Sequence, residues 1–362
     1  MWKILRPDAE AVTKNQLAKK SLARYFSVAD NCKPAKFLIA QRTPARFDKN
    51  YTLEALLAEH ARCTDEYYRI EHETDQASNF DKLSVPEKSY FELKLEIADR
   101  ILQNCHFCLR KCGINRKSGK VGYCGCGERI SVSSLFEHTG EEPELVPSGT
   151  IFTMGCTIRC LHCQNWTIAQ WAEESTGYAP QVLAAEIEQL RLNACRNVNL
   201  VGGDPTPWLA QWLQVFKYVK VNVPVVWNSN SYYSPETARL LEGFADVYLL
   251  DFKYGPGECA KKISDASNYW ETSTANLLEA KKYGELIIRV LVLPDHLNCC
   301  TKPVLQWIVD NLGEETRVNL MFQYRPEWRA HEAPELRRRL NRYEAEQAIQ
   351  LAKKAGLKNF IT

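Results

Sequence analysis

The sequence predicts an α/β fold of barrel type that is preceded by a helical extension. From residue 150 onward, short apolar segments of strand length alternate with helical segments, which is typical of strand–helix units around a common sheet. Earlier in the chain, residues 51–62 and 90–102 carry apolar residues at helical spacing. A cysteine-rich segment separates the two parts. We therefore expect a helical extension over 1–104, a metal-binding segment over 105–149 and the barrel over 150–362.

Six segments of the barrel region combine apolar and β-branched residues over strand length. These strands are predicted over 150–154, 197–201, 224–228, 246–253, 286–294 and 317–324. Helices are predicted over 182–191, over 234–241 and over 343–355. The second begins at Ser234, which is suited to an N-cap and is followed by proline and an acidic residue, and the third ends at Gly356.

Composition places the chain among ordinary globular proteins and excludes several classes of function. Hydrophobic residues make up 45% and charged residues 25% of the 362 residues, and the net charge is only +2. The charges are interspersed, so no footprint for nucleic acid is expected. No apolar run approaches the ~20 residues that span a membrane, and no signal peptide is recognisable, so we expect a cytoplasmic protein. Fourteen cysteines in a reducing compartment favour metal ligation and indicate an anaerobic organism.

Cys156, Cys160 and Cys163 form the motif C-x3-C-x2-C in a loop that follows the first predicted barrel strand. Iron–sulfur cubes normally take four cysteines, so three thiolates hold three irons of a [4Fe–4S] cluster and leave the fourth iron open to a ligand. An open position is typical of catalytic metal sites. The alternative is three buried thiols that pack as small hydrophobic groups. Their clustering in a loop that starts at Gly155 argues against that alternative.

A second group of cysteines precedes the barrel, in a segment punctuated by glycines. Its predicted ligands are Cys105, Cys108, Cys112 and Cys124, with Cys126 as the replacement if Cys124 faces away. Four thiolates fit a structural zinc ion, a mononuclear iron or an auxiliary iron–sulfur cluster, and the sequence leaves these three open. The isolated Cys32 and Cys63 are expected to be structural.

Charged and polar residues occur at or near the ends of several predicted strands. Asp251 and Lys253 lie two residues apart and so share one face of their strand. A charged pair in an apolar strand is costly unless it is paired or functional. Arg289 stands alone in an apolar strand and is interpreted as an inward-pointing anion contact. Asn228 and Asn230 follow the third strand, where an asparagine-rich turn is an equally good interpretation.

The motif C-x3-C-x2-C beyond the end of a strand resembles the radical SAM superfamily, named for S-adenosylmethionine. This resemblance implies a partial (β/α)6 TIM-type barrel. His162 stands where the family usually has an aromatic residue near the adenine of S-adenosylmethionine. Gly202, Gly203 and Asp204 resemble the GGE motif, whose backbone and acid contact the methionyl amine. A strand–helix turn with an N-capping aspartate is the alternative for these three residues.

Further residues extend the resemblance. Asn228 and Asn230 stand where the family places contacts to the sugar or the methionyl group. Asp251 and Lys253 resemble the Asp-x-Lys of glycyl-radical activating enzymes, where the lysine meets the methionyl carboxylate. From Cys105 onward the chain looks like the PflX-type proteins related to pyruvate formate-lyase activating enzyme. The segments that carry this likeness include Cys-Leu-His-Cys-Gln-Asn-Trp, Val-Gly-Gly-Asp-Pro-Thr-Pro, Leu-Leu-Asp-Phe-Lys-Tyr-Gly and Phe-Gln-Tyr-Arg-Pro.

The resemblance implies an enzyme that cleaves S-adenosylmethionine at a reduced [4Fe–4S] cluster to form a 5′-deoxyadenosyl radical. The radical would abstract hydrogen from a polypeptide, with a backbone glycine as the candidate position, and flavodoxin or ferredoxin would supply the electron. Gln323, Tyr324, Arg325 and His331 are expected to line the substrate end or to form a barrel-closing turn. One alternative is a cobalamin-dependent radical SAM protein C-methyltransferase. The other is a non-catalytic iron–sulfur protein for electron transfer or sensing, against which the polar strand ends argue.

Overall fold

The computed structural model describes residues 2–77 and 80–362. The described residues form one sheet of nine strands. In chain order the strands are β1 Ser131–His138, β2 Ser148–Thr153, β3 Thr176–Gly177, β4 Asn197–Gly202, β5 Val225–Ser229, β6 Val247–Asp251, β7 Glu285–Leu291, β8 Arg317–Met321 and β9 Phe360–Ile361. The six predicted barrel strands are confirmed as β2, β4, β5, β6, β7 and β8. The bounds of each differ from the prediction by a few residues.

The strand order in the sheet is β3-β1-β2-β4-β5-β6-β7-β8-β9. Every pair from β2 to β9 is parallel, whereas β1 pairs antiparallel with both β2 and β3. The order is linear, with β3 at one end and β9 at the other, so the sheet curves into a barrel that does not close. This arrangement is the expected partial barrel. The eight-residue strand β1 and the two-residue strands β3 and β9 are additions that the sequence did not predict.

Fifteen α-helices lie in the described part of the chain. They are α1 Trp2–Leu5, α2 Pro7–Ala11, α3 Gln16–Ser21, α4 Ala23–Ala29, α5 Lys36–Ala40, α6 Leu53–Ala77, α7 Tyr90–Gln103, α8 Trp166–Ala169, α9 Pro180–Leu192, α10 Leu209–Phe216, α11 Pro235–Leu241, α12 Cys259–Ser264, α13 Tyr269–Tyr283, α14 Lys302–Leu312 and α15 Arg342–Ala355. A π-helical turn, Leu297–Thr301, leads directly into α14. Among these described helices we find none with the length and apolar character that crossing a membrane requires.

Local sequence explains where two of the three predicted barrel helices begin and where one of them ends. The hydroxyl of Ser234 accepts a hydrogen bond from the backbone N–H of Thr237 and so caps α11. The helix α15 begins with a reciprocal capping box between Asn341 and Glu344. It ends at Gly356, whose φ of +92° is in the left-handed region that glycine adopts without strain.

The helical extension packs onto the barrel rather than forming a core of its own. Helices α6 and α7 contact each other, and α7 also contacts α10 of the barrel. Buried side chains of the extension, including Leu56, Tyr67, Leu93 and Ile97, belong to the same continuous hydrophobic cluster as the barrel strands and helices. Burial of this apolar surface is what holds the extension in place.

Helix α4 closes the end of the barrel at which the strands begin. Leu22, which precedes α4, and Tyr25 are fully buried in a cluster with apolar residues from the first halves of β5, β6 and β7. The Tyr25 hydroxyl donates to the carbonyl of Glu144 at 3.1 Å. The carboxylate of Glu285 accepts hydrogen bonds from the backbone N–H groups of Arg24 and Tyr25 at 2.7 and 2.6 Å. The first turn of α4 is thereby fixed against β7.

Replacing Leu22 with alanine should therefore destabilise the whole chain. Removing a fully buried leucine side chain and leaving a cavity costs about 2–5 kcal/mol. The matched control is Leu5→Ala, because Leu5 is 66% exposed and its truncation should change the free energy of unfolding by about 0.5 kcal/mol or less. Urea unfolding of both variants measures the difference. Equal midpoints would contradict the packing of α4 in the barrel.

Candidate active site

The three cysteines of the C-x3-C-x2-C motif lie on the loop that follows β2. Cys156 and Cys160 are buried and Cys163 is partly exposed. Within the described residues, the three sulfur atoms do not all lie within 4.8 Å of one another. Three thiolates around a single ion would lie closer together, so this wider spacing fits a cluster that gives each thiolate its own iron. The donor set therefore fits an iron–sulfur cube.

Glycine is required at residue 155, where the loop that carries Cys156, Cys160 and Cys163 begins. We call this loop the cluster loop. Gly155 has a φ of +81°, and a Cβ atom there would lie 2.5 Å from the sulfur of Cys126 and 2.6 Å from the carbonyl of Cys124. There is no room for a Cβ atom at Gly203 either, since it would lie 2.1 Å from the carbonyl oxygen of Gly155. Backbone hydrogen bonds seal this contact, from Gly203 N to Thr153 O at 2.9 Å and from Asp204 N to Gly155 O at 3.0 Å. The loop is therefore held backbone against backbone.

Two of the cluster cysteines accept hydrogen bonds from side chains. The amide Nδ2 of Asn230 donates to the sulfur of Cys156 at 3.5 Å, and the hydroxyl of Ser264 donates to the sulfur of Cys160 at 3.0 Å. Hydrogen bonds to cluster sulfurs are one of the factors that set the reduction potential of an iron–sulfur site. Sequence reasoning missed Ser264, because a serine at the end of a short helix carries no signal of its own.

His162 is buried and uncharged. Burial, followed by the positive charge of Lys253, lowers the pKa of His162 to about 3. Its Nε2 lies 3.1 Å from the hydroxyl of Tyr254, which in turn lies 2.5 Å from the hydroxyl of Ser264. The ring of Tyr324 packs edge-on against the imidazole ring of His162, with the two ring centroids 5.7 Å apart. His162 therefore presents a neutral flat ring, held in one orientation.

A cavity of about 210 Å³ opens beside the three cysteines. Its wall brings together most of the residues that the sequence predicted for the site. The predicted residues that line it are Cys156, Cys160, His162, Cys163, Gly202, Gly203, Asn228, Asn230, Asp251, Lys253, Arg289 and Gln323. The carboxyl ends of β4, β5, β6 and β7 thus converge on the cluster loop.

Asp204 does not line this cavity, although the sequence predicted that its carboxylate contacts a cofactor. Its carboxylate is buried and accepts hydrogen bonds from the N–H of Thr206 at 2.9 Å, the hydroxyl of Ser229 at 3.0 Å and the N–H of Asn230 at 2.8 Å. These bonds tie the loop after β4 to the loop after β5. The alternative interpretation, a turn stabilised by the aspartate, describes these contacts.

Lys253 and Asp251 form an ion pair on the wall of the cavity, with Nζ and Oδ2 2.7 Å apart. Burial lowers the pKa of Lys253, but the carboxylate of Asp251 and the neighbouring Cys160 and Tyr269 together outweigh it, so the net pKa is raised. The lysine therefore remains a charged ammonium group in the cavity. The expectation that the two side chains share one face is met by this geometry.

Arg289 points inward as expected, but its anionic partners come from the chain itself. Its Nε and Nη2 donate to both carboxylate oxygens of Glu142 at 2.6 and 2.7 Å, and Nη2 also donates to Glu141 at 2.6 Å. Its Nη1 donates to the side-chain oxygen of Asn228 at 3.2 Å. Arg289 is thus an inward-pointing anion contact whose anions here are Glu141 and Glu142, and its contact with a cofactor stays a prediction.

A second and larger cavity, of about 620 Å³, adjoins the first. Arg289 and Asn228 line both cavities, and Glu141 and Glu142 line the larger one. The wall on one side comes from β1 and β2 and the segment between them, and on the other side from β8 and β9. The larger cavity therefore occupies the gap that the open barrel leaves between its two ends.

The remaining residues predicted for the substrate end divide into two groups. Gln323 lines both cavities. Tyr324 is buried and donates to the carbonyl of Leu336 at 2.6 Å. Arg325 pairs with Glu327 on the surface and His331 is exposed, and neither lines these cavities. The alternative of a barrel-closing turn describes these last two residues better.

The cysteine-rich segment packs against the barrel beside the cluster loop and does not line the cofactor-sized cavity. The backbones of Cys108 and Tyr233 form an isolated antiparallel β-bridge. Burial raises the pKa of Cys105, and the neighbouring Cys112 and Cys124 thiols add to that rise. A hydrogen bond with Cys126 lowers the pKa of Cys124 to about 6. The thiols thus lie near one another, although no three of them lie within 4.8 Å in the described chain.

Residues 150–308 match the family model of the radical SAM superfamily. The uncharacterized protein MJ0674 of Methanocaldococcus jannaschii is 41% identical over 342 residues, which cover 93% of this chain and 98% of that protein. The uncharacterized protein MJ0808 of the same organism is 26% identical over 250 residues, covering 64% of this chain and 73% of that protein.

Similar solved structures include SuiB of Streptococcus suis bound to S-adenosylmethionine. Its TM-score is 0.43 at 11% identity, with 88% of this chain and 66% of that chain covered. The complex of SuiB with its precursor peptide SuiA has a TM-score of 0.43 at 11% identity and covers 57% of this chain and 46% of that chain. Similarity at this level bears on neither activity nor substrate.

The family match and the nearly full-length relative lead to one assignment. The matched range contains the cluster loop, the glycines after β4 and the Asp251–Lys253 pair. Membership of this superfamily implies an enzyme that uses a [4Fe–4S] cluster and S-adenosylmethionine. The chain belongs to the radical SAM superfamily, in one family with the Methanocaldococcus jannaschii protein MJ0674.

Proposed function

We propose that this enzyme cleaves S-adenosylmethionine reductively and abstracts hydrogen from a polypeptide, as a glycyl-radical activating enzyme does. The observation that carries the proposal is the juxtaposition of three cluster cysteines with the partly buried ammonium group of Lys253 across one cavity. An electron carrier or sensor needs no such group, because it binds no charged ligand beside its cluster. The relation to PflX-type proteins remains part of this proposal.

The chain's own residues supply binding and orientation. Cys156, Cys160 and Cys163 would hold the cluster, and Lys253 would hold the methionyl carboxylate by a charge-assisted hydrogen bond. The backbone beside Gly203 and the flat ring of His162 are the proposed contacts to the methionyl amine and the adenine. When bound, the cluster and S-adenosylmethionine supply the 5′-deoxyadenosyl radical, and the surrounding wall limits access of water to it.

The larger cavity is the proposed substrate site. Its volume of about 620 Å³ is within the ordinary range for ligand sites, and it adjoins the cavity where the radical would form. It lies in the lateral gap of the barrel, so a segment of polypeptide could enter from the side. Glu141, Glu142 and Arg289 on its wall carry paired charges, which suits hydrogen bonding to peptide groups.

The electron would come from a small donor such as flavodoxin or ferredoxin. Cys163 is the most exposed of the three cluster ligands, and we propose that the electron enters on its side. We also propose a cytoplasmic location, since fourteen unpaired thiols suit a reducing compartment.

The central test is the fate of S-adenosylmethionine in anaerobic, reduced protein. We expect 5′-deoxyadenosine from the native chain and background levels from Cys160→Ala, because that variant loses one cluster ligand. Cys195→Ala is the matched control, since Cys195 is buried but lines neither cavity. Cleavage by Cys160→Ala at the native rate would overturn the cluster assignment. Production of S-adenosylhomocysteine with added cobalamin would instead establish methyl transfer, and neither product would favour a sensor.

Lys253→Ala should weaken S-adenosylmethionine binding about ten- to a hundred-fold. A hydrogen bond to a charged group contributes about 1.5–3 kcal/mol, which corresponds to this range of dissociation constants. Lys262→Ala is the control, because Lys262 is exposed on the nearby α12. Isothermal titration with both variants measures the effect. An unchanged dissociation constant with reduced stability would make Lys253 merely the buried partner of Asp251.

We further propose that Cys105, Cys108, Cys112 and Cys124 bind one metal site apart from the catalytic cluster. Cys108→Ala should then lose one site's metal and some stability, while the absorption spectrum of the catalytic cluster persists. Cys32→Ala is the control, because Cys32 is exposed and isolated. Full metal content in Cys108→Ala, measured by elemental analysis per chain, would reduce these residues to ordinary thiols.

A further inference from the structure

We propose that Cys259, Cys299 and Cys300 bind a single zinc ion, at a site separate from the catalytic cluster and from the cysteine-rich segment. Within the described residues this is the one group of three metal-ligand side chains whose donor atoms all lie within 4.8 Å of one another. The sequence analysis assigned no role to these cysteines.

The spacing of the sulfur atoms suits one tetrahedral ion. The sulfur of Cys299 lies 3.8 Å from that of Cys259 and 3.8 Å from that of Cys300. A zinc–sulfur bond of about 2.3 Å in a tetrahedron places its sulfurs about 3.8 Å apart. Two of the three sulfur–sulfur distances therefore already match the edge of such a tetrahedron, and the third lies within 4.8 Å.

Two other uses of three thiols fit this spacing less well. A disulfide bond brings two sulfurs to about 2.05 Å, well below the 3.8 Å observed here. A cubic iron–sulfur cluster binds each thiolate to a different iron, which separates the sulfurs more widely, as at the Cys156 loop. A single soft or borderline ion is the remaining ligand class that thiolates select.

The fold builds this site from two distant segments. Cys259 is the first residue of α12, and the other two cysteines lie in the π-helical turn that precedes α14. The two segments touch at Gly255, where a Cβ atom would lie 2.1 Å from the carbonyl of Cys299 and 3.0 Å from the Cα of Cys300. Only glycine permits that approach, so the backbone itself sets the cysteines against one another.

Exposure indicates how the ion would be completed. Cys300 is buried, Cys259 is partly exposed and Cys299 is exposed, so one side of the triad faces solvent. Three protein ligands with a fourth position open to water is the arrangement of zinc sites that are accessible to ligands. We therefore assign three thiolates and one water molecule to the ion.

The proposed zinc site lies on the chain segment that also carries two contacts of the catalytic centre. Helix α12 starts at Cys259 and ends at Ser264, about 7.5 Å further along its axis, where the hydroxyl donates to the sulfur of Cys160. Lys253 lies six residues before Cys259, on the same connection. An ion that fixes Cys259 to the turn before α14 would brace the segment that carries both contacts.

The first test uses the native chain and maps thiol alkylation by mass spectrometry, with and without prior treatment with a zinc chelator under reducing, anaerobic conditions. We expect Cys259 and Cys299 to be protected when zinc is bound and to react after chelation. Cys32, which is exposed, should react in both samples, and Cys63, which is buried, in neither. Equal reactivity of Cys259 and Cys299 in both samples, or their recovery as a disulfide, would overturn the proposal.

The second test measures zinc per chain. Cys259→Ser and Cys299→Ser should each lose one zinc equivalent relative to the native chain, whereas Cys32→Ser should lose none. Cobalt(II) replacing zinc should give the visible absorption of a tetrahedral thiolate site, and that absorption should persist in Cys108→Ala. Unchanged zinc in both variants, or iron with acid-labile sulfide at these residues, would overturn a single-ion site. Neither test depends on cleavage of S-adenosylmethionine.

Discussion

The geometry of the active site depends on direct contact between the backbones that follow β2 and β4. Gly203 lies against the carbonyl of Gly155, with no room for a Cβ atom between them. A side chain at Gly203 would push the cluster loop away from the sheet, and one at Gly155 would push it away from Cys124 and Cys126. The buried carboxylate of Asp204 then joins this contact to the loop after β5. The positions of three separate strand ends, and of the cluster cysteines, follow from this one close approach.

The interior of the barrel is charged but compensated. Arg289 is paired with Glu141 and Glu142, Lys253 with Asp251, and Arg317 with Glu144. A buried charge without a partner is strongly destabilising, so each pair must be complete before a ligand arrives. The cavities therefore offer many hydrogen-bonding groups with little net charge.

Local sequence predicted much of the fold, and longer-range contacts account for what it missed. Apolar strand segments and the Ser234 cap were sufficient to predict β5 and α11, because both signals are local. Strand β1 was missed because it is polar and half-exposed along its length. Helix α4 was not predicted from the sequence, and its contacts with distant strands are what give it a place at the end of the barrel.

The same distinction holds for the site. The spacing of Cys156, Cys160 and Cys163 was informative because all three ligands lie within eight residues. Glu141 and Glu142 lie in a short segment that looks like an exposed turn, and only the fold brings them to Arg289. Asp204 was placed correctly in the loop after β4, but the direction of its side chain depends on donors from β5. Residues whose partners are distant in sequence show no local motif, so the sequence alone did not reveal their contacts.

The closure of the barrel by α4 also makes ligand traffic one-sided. Leu22 and Tyr25 fill the end at which the strands begin, so the lateral gap and the carboxyl ends of the strands are the routes into the interior. The two cavities share the wall formed by Asn228 and Arg289. A molecule in the outer cavity would therefore meet a ligand in the inner one at this shared wall. It would also obstruct the lateral gap, which leaves the carboxyl ends of the strands as the other route for exchange.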